Sequence, residues 1–111
     1  MPRMFLRIIL SAVFVCLASL TGAFQLQAQN DSAKVYKTNC TLCHSDDGSG
    51  SSPTGKALKA KDLRSDEVQS KSDPELAAII TKGSGKMPAF GSKLSPDVIK
   101  SLVAYIRALK K

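Results

Sequence analysis

The pattern of apolar and polar residues near the N-terminus differs from that of the rest of the chain, because it contains one nearly continuous apolar run. Residues 8–20 are almost all apolar, follow two arginines, and are followed by a small and polar stretch that ends at Ala28. This three-part layout is typical of a secretory signal peptide, and the apolar run is shorter than the roughly 20 residues of a membrane-spanning helix. We therefore predict a leader over residues 1–28, cleaved near Ala28 or alternatively after Ala23, and no stable membrane insertion afterwards. A retained membrane anchor is the alternative.

Beyond the leader, apolar residues recur at helical spacing, and no stretch alternates as a strand would. The clearest helix follows Ser95, with Pro96 at the first helical position. Its apolar residues recur every three or four positions: Val98, Ile99, Leu102, Val103, Ile106 and Leu109. A second helix is predicted with Asp73 as its cap and Pro74 at its first helical position, ending at Gly83. A first helix is predicted from Asp31, as its cap, to about Leu42.

Segments rich in Gly, Ser and Pro separate these helices. Residues 45–55 and 83–94 are predicted to be loops, because residues of these types disfavour helices and strands. Residues 56–63 and 65–71 are predicted to form short helical turns, the latter capped by Ser65. The predicted class is all-α, with one loop-rich domain over residues 29–111.

Size and charge narrow the possible functions. Removal of the leader leaves about 80 residues. A hydrophobic core of that size gives only marginal stability, so we expect an additional covalent or metal link. Without Arg3 and Arg7, the 16 basic residues fall to 14 against 9 acidic ones, a formal charge of +5. The lysines are scattered and aromatic residues are few, so we expect no nucleic-acid binding and instead an acidic protein partner.

The stretch CTLCH, residues 40–44, is the main candidate for chemistry. A structural zinc site needs four ligands, and beyond the leader Cys40, Cys43 and His44 are the only Cys and His residues. A redox-active dithiol is expected at the start of a helix that follows a strand, whereas this motif ends a helix. C-x-x-C-H is the attachment signature of a c-type haem, in which both thiols form thioethers and the histidine ligates the iron.

Met87 is the candidate for the second axial ligand. No other histidine exists, and Met1 and Met4 belong to the leader, which leaves Met87 as the only thioether. It lies among Gly83, Gly85 and Pro88, residues suited to an extended path over a haem face. The alternative is that Met87 fills a gap in the core, as most methionines do.

CTLCH, KMPAF and LSPDVIKSLVAYIRAL, in this order, make residues 31–109 resemble a class I cytochrome c of the small, single-haem bacterial type. The resemblance implies about four to five short helices around one covalently bound haem c, with the first and last packed crosswise. It implies that Tyr36 and Tyr105 lie near that crossing. Ser32 stands where the family often has glycine, and its hydroxyl would slightly widen the crossing. The family's histidine donates to a backbone carbonyl, for which Pro53 and Lys61 are both candidates.

His/Met ligation leaves the iron no open position, so the expected function is one-electron transfer in the periplasm and not enzymatic catalysis. The alternatives are a dedicated electron-acceptor subunit of a periplasmic dehydrogenase, or a gas-binding or peroxidase haem protein if Met87 does not ligate. As partners of a monomer in a respiratory chain we expect a reductase or dehydrogenase as donor and a terminal oxidase as acceptor. Six lysines are predicted to form a basic docking ring, the alternative being ordinary solvated side chains: Lys56, Lys59, Lys61, Lys82, Lys86 and Lys93.

Overall fold

The computed structural model describes residues 3–4 and 31–110. Apart from Arg3 and Met4, the predicted leader and its two cleavage points lie outside the described residues. Within the described ranges, no helix has the length and apolar character needed to cross a bilayer.

The described part of the chain is a succession of helices with no strand, and the one β-bridge recorded there is an isolated pairing of Ser84 with Met87. The helices are α1 (31–39), α2 (Thr41–His44), α3 (Pro53–Leu58), α4 (Asp66–Gln69), α5 (Asp73–Lys82) and α6 (Pro96–Ala108). The all-α prediction is thus confirmed. A break at Cys40 divides the predicted first helix into α1 and the single turn of α2.

Serine side chains start four of these helices. Ser52, Ser65, Ser72 and Ser95 each accept a hydrogen bond from the backbone N–H three residues further on. Each hydroxyl thereby satisfies a donor that the helix leaves without an internal partner. The caps at Ser65 and Ser95 and the end of α5 at Gly83 agree with the sequence predictions.

Three predicted boundaries are wrong. Asp31 is already helical, so it is not the cap of the first helix. Ser72 caps α5 in place of Asp73, because Ser72 and Glu75 form a reciprocal capping box. The predicted loop over residues 45–55 ends early, since Ser52 caps α3 and Pro53 occupies its first turn.

The core lies between α1, α5 and α6. Tyr36 and Leu102 are each only 1% exposed, and they pack with the other buried residues: Leu63, Val68, Leu76, Ile80, Ile99, Val103 and Ile106. The rings of Tyr36 and Tyr105 lie 4.8 Å apart between centroids, so the first and last helices meet at the two tyrosines, as the resemblance implies. Ser32 is buried as well.

Arg107 ties the end of α6 to the connection between α4 and α5. Its Nε donates to Oδ1 of Asp73 at 2.9 Å, and its Nη1 donates to the carbonyl of Gln69 at 2.8 Å. Nη2 donates to the carbonyl of Lys71. The Gln69 amide in turn donates to the carbonyls of Leu63 and Ile106, at 2.7 and 3.1 Å. The short α4 is therefore held against α6 by side chains.

Tyr36→Phe should reduce the loss of stability at alkaline pH. Burial raises the pKa of the Tyr36 phenol above its ordinary value of 10.0, and the phenol donates to the Ser45 carbonyl at 2.8 Å. The unfolded chain releases this proton near pH 10 while the folded chain retains it, so stability is fully present below that pH and falls above it. We expect denaturant unfolding to show a shallower decline above pH 10 in the variant. Below that pH, the lost hydrogen bond should cost about 1 kcal/mol. If the unfolding free energy of both proteins falls equally steeply above pH 10, the pKa of Tyr36 is not raised by folding.

Candidate functional site

A single cavity of about 620 Å³ brings together all four residues that the sequence singles out. Cys40, Cys43 and His44 line it from the region of α2, and Met87 lines it from the loop after α5. Apolar side chains form much of its remaining wall: Leu63, Val68, Leu76, Ile80, Phe90, Leu94, Leu102 and Ile106. Its volume falls in the range of about 300–1,000 Å³ that small-molecule and cofactor sites occupy, and its lining is as apolar as theirs.

The turn from Cys40 to His44 places both thiols and the imidazole on this cavity. The N–H of Cys43 and that of His44 both donate to the Cys40 carbonyl, at 3.2 and 2.9 Å. Directly after the turn, the carbonyl of Ser45 accepts from the buried Tyr36 phenol. The turn is therefore anchored to α1 at its far end, and the two cysteines remain unbridged.

The Cys40 thiol is not prepared for dithiol chemistry. Burial, followed by the neighbouring Cys43, raises the pKa of Cys40 to about 11. A redox-active cysteine needs a lowered pKa, because the thiolate is the nucleophile. Within residues 31–110, moreover, no group of three or more Cys, His, Asp and Glu side chains is placed to hold a metal ion.

The His44 ring is oriented by one backbone hydrogen bond. Its Nδ1 lies 3.0 Å from the carbonyl oxygen of Lys61. A carbonyl only accepts, so Nδ1 carries the proton, and in the neutral ring the lone pair lies on Nε2. Of the two candidates left open by the sequence, Lys61 therefore provides the carbonyl. Pro53 does not, because it lies in the first turn of α3, where carbonyls are directed toward the next helical turn.

Met87 is presented by a tight turn after α5. The N–H of Ser84 donates to the Met87 carbonyl at 3.1 Å, and the N–H of Met87 donates to the Ser84 carbonyl at 2.9 Å. Gly83 enters the turn with φ +74°, and a Cβ there would lie 2.6 Å from the Met87 carbonyl oxygen. Met87 is half-buried against the core and lines the cavity from a backbone that this turn fixes.

Gly55 is a residue of the site that the sequence did not reveal. It lies in α3, where a Cβ would overlap the carbonyl oxygen of Cys43 and lie 2.5 Å from that of Gly50. α3 can therefore pack against the Cys40–His44 turn only with glycine at this position. The sequence signal was weak, because the segment around Gly55 contains several glycines and serines, and nothing in the residue pattern marks the one whose Cβ would meet the Cys43 carbonyl.

Lysines surround the mouth of the cavity. Lys59, Lys61 and Lys86 line it as the docking-ring prediction requires, whereas Lys56, Lys82 and Lys93 are exposed without lining it. Lys71, which is not part of the predicted ring, also lines it. The ammonium of Lys61 lies 2.8 Å from Oε1 of Glu67, and this hydrogen bond lowers the pKa of the Glu67 carboxyl. The rim is therefore mainly, but not uniformly, positive.

The family model described as cytochrome C oxidase, cbb3-type, subunit III matches residues 27–106. The chain belongs to the cytochrome c family. Cytochrome c6 of a Picosynechococcus species is 38% identical to this cytochrome over 106 residues, which cover 91% of this chain and 89% of that protein. Cytochrome c6 of Gloeothece citriformis is 32% identical over 111 residues, covering 96% and 93%.

Two further relatives extend the comparison. The cbb3-type cytochrome c oxidase subunit FixP of Azorhizobium caulinodans is 34% identical over 95 residues, but this cytochrome spans only 31% of its length. The solved structure of the KustC0563 c-type cytochrome superposes with a TM-score of 0.67 at 33% identity, covering 72% of this chain and 98% of that one. The chain is thus a small class I cytochrome c, an electron-transfer protein with haem c as its cofactor and not an enzyme.

Gly55→Ala should destabilise this cytochrome by about 3 kcal/mol or more, because the added methyl group meets backbone carbonyls that cannot rotate away. Gly85→Ala is the matched control. A Cβ at Gly85 meets nothing within 4 Å, so only its φ of +55° opposes the change, at a cost of about 1 kcal/mol. Guanidinium unfolding of the haem-loaded proteins measures both. Equal stability of the two variants would show that α3 does not need glycine for its approach.

Proposed function

We propose that this cytochrome is an exported, single-haem electron carrier, with its one haem attached through Cys40 and Cys43 and its iron ligated by His44 and Met87. The haem supplies a one-electron couple at its iron. The observation that carries the proposal is that these four side chains border one apolar cavity although Met87 is more than forty residues away in the chain.

The two cysteines suit covalent attachment. They belong to one turn whose N–H groups share the Cys40 carbonyl, so their side chains leave the backbone one helical turn apart. Neither is part of a disulfide, and the raised pKa of Cys40 keeps its thiol protonated at neutral pH. Both sulfurs are therefore available to form thioethers to one porphyrin.

His44 suits the role of first iron ligand because of its tautomer. With Nδ1 donating to the Lys61 carbonyl, the ring offers Nε2 as its only lone pair, and the carbonyl fixes the plane of the ring. The same hydrogen bond makes Nε2 a stronger base.

Met87 suits the role of second ligand because the Ser84–Met87 turn fixes its backbone against the cavity. A six-coordinate iron has no position for oxygen or a substrate, and a thioether ligand favours the ferrous state. The apolar lining also keeps water from the site, which favours the less charged state of the iron centre. This ligand set suits electron transfer and does not suit gas binding or peroxidase chemistry.

The predicted leader over residues 1–28 supports export, so we place this electron carrier in the periplasm, as a monomer. A reductase or dehydrogenase would act as electron donor and a terminal oxidase as acceptor. The similarity to cytochrome c6 and to FixP supports redox proteins as the partners.

The lysines at the cavity mouth support docking of an acidic partner at the opening of the cavity that would hold the haem. Lys59, Lys71 and Lys86 line the mouth, whereas Lys61 is partly neutralised by Glu67. Like charges around a concave site raise the local potential and accelerate the approach of an oppositely charged partner.

Replacing Met87 with alanine tests the ligation. In Met87→Ala the sixth iron position should open, so we expect a high-spin spectrum, a lower reduction potential and rapid binding of carbon monoxide by the reduced protein. Leu94→Ala is the control, because Leu94 also lines the cavity but has no ligand atom. The proposal is wrong if Met87→Ala retains the spectrum and potential of the unaltered protein.

Removing positive charge from the cavity mouth tests the docking surface. The double variant Lys59→Asn and Lys86→Gln should react roughly fivefold more slowly with ferricyanide, an anionic oxidant, at low ionic strength. Asparagine at position 59 tolerates the positive φ of 56° there. Lys34→Gln with Lys100→Gln removes the same charge from exposed residues that do not line the cavity. This control should react at nearly the original rate. A reaction rate that does not change with ionic strength would rule out steering by the lysines.

A further inference from the structure

Two segments of the chain run side by side next to His44. Besides the bond from His44 to the Lys61 carbonyl, the N–H of Leu63 donates to the Gly48 carbonyl at 2.8 Å. Nη1 of Arg64 lies 3.5 Å from Oδ2 of Asp47. These three contacts join residues 44–48 to residues 61–64. Only His44 in these two segments is helical. The distance between the segments is therefore set by the hydrogen bonds and the ion pair that join them.

Arg64 is bound to the second segment itself by three hydrogen bonds to one carboxylate. Its Nε and Nη2 donate to Oδ1 and Oδ2 of Asp62 at 2.9 and 3.0 Å, a two-pronged pairing of guanidinium and carboxylate. The backbone N–H of Arg64 also donates to Oδ1 of Asp62 at 2.9 Å. With 21% of its side chain exposed, Arg64 is sheltered enough for this pairing to restrain the turn.

The restraint reaches the Lys61 carbonyl through the peptide plane. The carbonyl of Lys61 and the nitrogen of Asp62 belong to the same planar unit, so the orientation of the oxygen follows the backbone of Asp62. The Lys61 side chain contributes little to this restraint. It pairs with Glu67, but the two side chains are 65% and 62% exposed, and such surface ion pairs are weak.

We infer that Arg64 is a positioning residue for His44: by gripping Asp62 and contacting Asp47, it holds the Lys61 carbonyl at hydrogen-bond distance from Nδ1. The inference rests on the proposed ligation of iron by His44. A firm acceptor at Nδ1 raises the basicity of Nε2 and thereby stabilises the ferric state. Arg64 therefore keeps the reduction potential lower than a looser turn would.

Arg64→Lys tests this role without altering the charge. Lysine is a point donor and cannot grip both oxygens of Asp62. We expect a higher reduction potential, and exchange of the His44 Nδ1 proton with solvent, followed by NMR on the haem-loaded protein, roughly tenfold faster. Because the formal charge is the same, a through-space effect of charge does not account for the shift.

Arg107→Lys is the matched control. Arg107 also pairs with an aspartate and with backbone carbonyls, but at the end of α6. This variant should lose stability while keeping the potential and the proton exchange of the unaltered protein. If it shifts both as far as Arg64→Lys does, the effect is one of general stability and the inference is wrong.

Arg64→Gln provides a second test, read only from proton exchange, which should again accelerate. Unaltered exchange in both Arg64 variants would overturn the positioning role. The unaltered protein distinguishes this failure from a failure of the proposed function. If its spectrum and NMR signals show no histidine–methionine ligation, both proposals are wrong. If they show it and the Arg64 variants change nothing, only the positioning role is wrong.

Discussion

The hydrogen bond between Nδ1 of His44 and the carbonyl of Lys61 is the contact on which the rest of the site depends. An imidazole on a short surface turn would otherwise rotate and exchange tautomers. The bond leaves Nε2 as the only lone pair, but it forms only if residues 61–64 lie alongside residues 44–48. That arrangement in turn brings Leu63 into the core and leaves Asp47 within reach of Arg64. The His44 ring is thus oriented only when residues 61–64 pack alongside residues 44–48, so the two features form together or not at all.

The helices supply the walls around this contact. α5 and α6 pack against each other and contribute Leu76, Ile80, Leu102 and Ile106, while Tyr36 joins α1 to α6 and, through its hydroxyl, to the residue after His44. The Met87 turn follows directly from the end of α5 at Gly83. Because the turn begins where a wall of the cavity ends, Met87 reaches the cavity without a long flexible loop.

The features that could be predicted from the sequence are those that depend on residues close together in the chain. The caps at Ser65 and Ser95 and the stop at Gly83 are local, and the cysteine–histidine motif and the lone methionine could be selected by residue type. The sequence pattern favours Asp73 as the cap of α5, because its carboxylate is as good a cap as a serine hydroxyl, and only the capping box between Ser72 and Glu75 favours Ser72. The start of α3 at Pro53 was missed although the same pairing of serine and proline announces α6.

What could not be predicted involves partners that are distant in the chain. The choice of Lys61 over Pro53, the approach of α3 at Gly55 and the anchoring of Arg107 all depend on which segments meet in space. Lysine, glycine and arginine in polar stretches have no pattern that distinguishes such residues from ordinary surface residues. For the same reason only three of the six lysines of the predicted docking ring line the cavity, since nearness in sequence to Met87 did not bring Lys82 and Lys93 there.

The serine caps differ from the long-range hydrogen bonds in the length of chain that they close. Each cap accepts its hydrogen bond from an N–H three residues away, and such local contacts form within about a microsecond or less. The bond from His44 to Lys61 spans 17 residues and that from Arg107 to Gln69 spans 38, yet a doubling of loop length costs only about 0.6 kcal/mol. Where each helix begins therefore rests on contacts that close almost no loop, whereas how the helices meet rests on two closures of similar entropic cost, although one spans more than twice as many residues as the other.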